Sequence, residues 1–132
     1  MSKTPEEEFV QAGAEKVTDK DIEKVVDHSE EIKKQFSSRG PLKRFIEDGK
    51  VLVALLKDYR SGVYRSALYG TIAAAAFALI YVFNPFDLVP DVLPFIGAID
   101  DASVVAACLM LIERDLHKYR DWKVNQPSSS TQ

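Results

Sequence analysis

Apolar and polar positions follow three different rhythms along this chain, and each rhythm predicts a different element. Residues 1–17 are mostly polar and read as disordered. Thr18 then stands as a helix N-cap, with Asp21 at the capping-box position. Ile22, Val25, Val26, Ser29, Ile32 and Phe36 follow at helical spacing and put one narrow apolar stripe on a charged helix. Ser37-Ser38-Arg39-Gly40 interrupts it, and Pro41 suits the first turn of a second helix reaching to around Arg60. Leu42, Phe45, Ile46, Val53, Leu56 and Tyr59 lie on one side of that helix, and its bases lie on the other. Such a helix rests on an anionic lipid surface or against another helix.

The third rhythm has no polar face at all. Ser66 to Phe83 is apolar around its whole circumference, and with Asn84, Pro85 and Phe86 the uncharged run is 21 residues. As a helix that is about 31 Å, the thickness of a hydrocarbon core of roughly 30 Å. A chain of 132 residues is not expected to supply enough neighbours to bury such a helix, so membrane insertion is the expectation. Ser66, Gly70, Ala74 and Ala78 recur every four residues as a small-residue face, and Ala102 and Ala106 offer a matching one further on. Ala102 to Ile112 has only 11 uncharged residues, about 17 Å of helix, which is too short to span alone. Either the helix continues to around Tyr119 with its charged end snorkelling, or the connection dips into the bilayer as a re-entrant element. The predicted fold is therefore all-α. An amphipathic arm over 18–60 precedes a membrane helical hairpin over 61–122, and a short polar tail over 123–132 reads as disordered.

Charge refines this picture. The net charge of −3 hides a segregation: residues 1–38 carry ten acids and six bases, whereas 41–65 carry six bases and three acids. So modest a basic surplus suits a membrane surface and not nucleic acid. Arg60 and Arg65 precede the hairpin, while Arg114, Lys118, Arg120 and Lys123 follow it, and no Lys or Arg lies between Ser66 and Ile112. The positive-inside bias then puts both termini in the cytoplasm. The acidic start without an apolar stretch predicts no cleavable signal peptide. Cys108 is the sole cysteine, which excludes an intramolecular disulfide, and its apolar setting reads as a small packing residue.

The connection carries the chemistry. Asn84 and Pro85 open it, Pro90, Pro94 and Gly97 punctuate it, and Asp87, Asp91, Asp100 and Asp101 are the only charges from Ser66 to Ile112. Capping explains each aspartate separately: Asp100 or Asp101 suits the N-cap of the last helix, and its neighbour favours the positive end of the dipole. Alternatively, all four share one site, which with oxygen ligands alone would take Ca²⁺ or Mg²⁺. His28 and His117 lie on charged helical stretches and read as surface residues. The sequence offers no Ser-His-Asp arrangement, phosphate-binding glycine loop or CxxC pair, so neither enzyme activity nor a cofactor is expected.

Asp87-Leu88-Val89-Pro90-Asp91, followed by Pro94, Gly97 and Asp100-Asp101, resembles the D-L-[IV]-P-D…P…G…D-D hallmark of the YkvA-like domain of unknown function. The matching part runs from about Val51 to Leu116. The resemblance implies a helical hairpin unit in a small bacterial membrane protein, hence an inner-membrane location, and it implies no activity. The functional expectation is a non-catalytic scaffold, assembly or regulatory subunit, with the lipid bilayer and a protein partner or second copy as its contacts. The alternative is a cation-binding or transport-associated element using the four aspartates.

Overall fold

Thr4 and Glu7 close a reciprocal capping box ahead of Pro5, and the chain turns helical there. The computed structural model describes residues 3–84 and 100–126. Within them lie α1 (Pro5–Ala14), α2 (Asp19–Asp27), α3 (Ser29–Ser38), a 3₁₀ segment (Gly40–Phe45), α4 (Ile46–Ser61), α5 (Tyr69–Phe83), α6 (Asp101–Leu111) and α7 (Glu113–Val124). The protein is all-helical, with no strand among the described residues.

The expectation of disorder over 1–17 is corrected by α1. Its polar composition conceals Phe9, Val10 and Gly13, which share one face and are all buried. Phe9 meets Phe77 and Tyr81 edge-on, at 5.2 and 5.7 Å between ring centres. Gly13 has to be small, because a Cβ there would overlap the Phe77 ring. The capping box read at Thr18 and Asp21 is present, but the helix it starts breaks at His28 into α2 and α3. Pro41 opens a 3₁₀ turn, and the α-helical geometry begins only at Ile46. Gly62 ends α4 in the left-handed region, φ 88°, which glycine adopts without strain.

α5 is the axis of the bundle. Every residue from Thr71 to Val82 is buried, and α1, α2, α3, α4 and α6 all pack against it. The chain therefore does supply the neighbours that its length was expected to deny. Ile22, Val25, Ile32 and Phe36 from the arm, with Leu52, Val53, Leu55 and Leu56 from α4, join α5 and α6 in one core. Gly49 admits the Phe36 ring, whose nearest atom would stand 2.6 Å from a Cβ at that position. Burying one Ile, Leu or Phe is worth about 1.5–3 kcal/mol, whereas an exposed pair such as Lys50–Glu47 contributes at most about 1 kcal/mol. Apolar wrapping decides this architecture.

The helix lengths differ from the charge-free run. α5 begins at Tyr69 and has 15 residues, about 22 Å, against roughly 30 Å for a hydrocarbon core. No helix among the described residues is long and apolar enough to cross a membrane. α6 stops at Leu111, and Ile112 (φ −108°, ψ 15°) separates it from α7, so the last two elements are not one continuous helix.

Candidate functional site

The two ends of the α5–α6 pair carry different chemistry. At the end facing the connection, the Asp100 side chain accepts the Ser103 amide at 2.8 Å and so caps α6. That hydrogen bond, together with the Ser103 side chain and the nearby Arg44 guanidinium, holds the Asp100 carboxyl below its usual value of 3.8. Asp101, in the first turn, forms an ion pair with Arg39, which ties the arm to the start of α6. His28 stacks on Phe83 at 5.0 Å, so the arm also covers the last turn of α5.

A lowered carboxyl pKa stabilises the fold above the unfolded value and loses that contribution as pH falls through the lowered folded value. Asp100→Ala is therefore expected to cost about 0.5–2 kcal/mol at neutral pH, and Asp100→Asn close to nothing, because Asn caps as well as Asp. Urea titrations from neutrality to below pH 4 check this. The Asp100-to-Ala difference should shrink toward the acid end, while the Asn variant keeps its cap throughout.

Of the other residues singled out from the sequence, Pro85, Asp87, Pro90, Asp91, Pro94 and Gly97 lie outside the described residues. Asn84 ends α5, its amide bonded to the Ile80 carbonyl at 2.7 Å. The two described aspartates are already engaged, one in a cap and one with Arg39. No group of three or more His, Cys, Asp or Glu side chains is placed to hold a metal among the described residues. Ala74, Ala78 and Ala102 are buried, and the Cys108 thiol donates to the Ala74 carbonyl at 3.5 Å, which marks the close approach of α5 and α6. Gly70 is exposed with open space where a Cβ would stand, and Ala106 is half-buried beside Phe45 and Leu109 in a groove on the α4–α7 side.

The opposite end of the α5–α6 pair escaped the sequence reading. Asp115 reaches back from α7 to the start of α5, accepting from the Thr71 hydroxyl at 2.7 Å and the Leu68 amide at 3.2 Å. It also raises the Tyr64 hydroxyl, after burial as the larger cause. Asp115 thus supplies the acid that α5 lacks in its own first turn. Glu113-Arg114-Asp115 reads along the sequence only as the charged stop of an apolar run. Above this cap, Leu68, Tyr69 and Met110 are among the large apolar side chains left exposed. They line two adjoining grooves, of about 820 and 550 Å³, that share Leu68, Thr71, Leu111 and Ile112.

A second unread lock joins α4 to α7. Asp58 accepts from the Tyr119 hydroxyl at 2.6 Å and from Lys123 at 2.8 Å, and Arg120 pairs with Asp48 at 2.6 Å. Tyr64 packs against Tyr119 and Trp122 at 5.0 and 4.8 Å.

Comparison with known proteins agrees with the hallmark. Residues 71–107 match the family described as Protein of unknown function (DUF1232). Over 82 residues the chain is 32% identical to an uncharacterized membrane protein, YkvA, of Bacillus subtilis (strain 168), a match covering 62% of this chain and 77% of that protein. No solved structure matches the chain.

Proposed function

The chain belongs to the YkvA-like family of unknown function, and from that premise we propose that it is a small, non-catalytic, membrane-associated subunit with a scaffold, assembly or regulatory role. One observation carries this reading. α5 is apolar on every side yet is wrapped by the chain's own arm, while exposed Leu68, Tyr69 and Met110 gather at the base of the hairpin. The bundle then touches a bilayer with that end and keeps the hairpin sheathed. The relative's description as a membrane protein supports the location. The non-catalytic role is supported by where the reactive side chains sit. His28, at the α2–α3 break, and His117 on α7 lie 3.6 and 3.7 Å from the Glu31 and Asp121 carboxylates, and Cys108 is buried against Ala74.

A second reading is favoured by the 21 uncharged residues from Ser66 to Phe86. In it the arm swings away, lipid replaces it around the hairpin, and both termini stay on the basic, cytoplasmic side. Fractionation of cells expressing the full chain separates the two. Recovery with membranes and release by alkaline carbonate is the result expected for a sheathed bundle. Retention through carbonate would favour the inserted hairpin, and recovery in the soluble fraction at low salt would overturn both.

A further inference from the structure

α1 is held differently from the other helices of the bundle. Each of those is tied to a second element by a side-chain hydrogen bond or ion pair. Arg60 of α4 reaches Glu23 of α2, and Arg39 at the end of α3 pairs with Asp101 of α6. Asp58 of α4 takes the Tyr119 hydroxyl of α7, and Asp115 of α7 takes the Thr71 hydroxyl of α5. Residues 5–14 have no such tie among the described residues; the Thr4–Glu7 capping box closes α1 on itself. What holds α1 on α5 and α6 is the packing of Phe9, Val10 and Gly13. Beyond it, Thr18 and Asp21 start α2 with their own capping box, so α2 needs nothing from α1 to keep its first turn.

We propose that α1 is a lid on the seam between α5 and α6, hinged over residues 15–18, and that it opens by local unfolding while α2 to α7 stay folded. Leaving the seam gives up two large apolar side chains and strands no charge. Any other helix would have to break a charged or partly buried hydrogen bond as well. Once off the seam α1 unwinds, because its 10 residues fall short of the roughly 12–15 that an isolated helix needs. Opening bares the Phe77 and Tyr81 rings, which are 2% and 5% exposed under the closed lid. The seam is then an apolar surface that the bundle shows or hides with one short segment. This device belongs to the bundle itself and goes beyond the membrane-associated reading, which it does not require.

Amide exchange on the purified full-length protein, in graded urea below the unfolding transition, tests the lid in the wild type and in Asp58→Ala. The closed bundle slows exchange in both α1 and α5. In the wild type the Phe9–Gly13 amides should nonetheless exchange faster than the Ile72–Val82 amides. Their dependence on urea should also be shallower, since opening the lid exposes less surface than global unfolding. Asp58→Ala loosens the α4–α7 lock, which α1 does not share. It should speed the Ile72–Val82 amides at least about tenfold and leave the α1 amides unchanged. Acceleration of both sets by one factor, with one urea slope, would overturn the lid, because α1 would then exchange only when the whole bundle unfolds. Exchange of α1 in step with α2 and α3 would overturn it too, since the covering helices would then open as one piece. Either failure leaves the membrane-associated reading standing.

Discussion

Phe77→Ala is expected to destabilise the bundle by about 3–5 kcal/mol, the range for removing a buried aromatic ring. Phe77 is 2% exposed on the axis helix and carries α1: Phe9 lies edge-on to it, and the Gly13 backbone rests on its ring. Gly13→Leu should cost about 1–3 kcal/mol by overpacking the same spot. The two changes share one volume, so the double variant should be more stable than the sum of the singles allows. Gly70→Ala is the control, since nothing stands within 4 Å of the new methyl. It should be neutral or gain up to about 1 kcal/mol. Urea unfolding of the four variants measures all of this. A loss below about 1 kcal/mol for Phe77→Ala would mean that α1 does not close over α5.

Asp58→Ala should be the next most damaging change, at about 1.5–3 kcal/mol, because it removes a charged acceptor from a buried hydroxyl. Tyr119 is 1% exposed, and its hydroxyl is raised first by burial and then by Asp58. Without the carboxylate that hydroxyl is left unsatisfied, and Lys123 loses its partner as well. The Lys123 pair alone is half-exposed and counts for little. Tyr119→Phe in the Asp58→Ala background should therefore restore part of the loss, since no orphaned hydroxyl remains. Melting curves of the singles and the double test this. Strict additivity would show that the two groups do not depend on each other.

Local chemistry was legible in the sequence wherever a few residues decide the outcome. The Thr18–Asp21 capping box and the cap ahead of α6 both follow from neighbours within a turn. Asp115 and Asp58 were not legible, because their partners lie 44 and 61 residues away. The helix within residues 1–17 is hidden for another reason. Phe9, Val10 and Gly13 form a short stripe inside an acidic stretch, and glycine adds nothing to a hydrophobic pattern although here it admits a ring. The span length was overcounted because absence of charge is not helicity. Ser66 to Leu68 is linker held by Asp115, and the helix ends at Phe83. Composition saw an apolar rod without a sheath, because the sheath is spread over four amphipathic helices.

Amide exchange on the full-length, vesicle-bound protein tests the central claim most directly. If the arm sheathes the hairpin while the base touches lipid, the Phe9–Gly13 amides of α1 and the Ile72–Val82 amides of α5 stay protected together, as they should be free in solution. Protection of α5 with rapid exchange throughout α1, α2 and α3 would show that lipid has taken the arm's place, and would contradict the sheathed bundle.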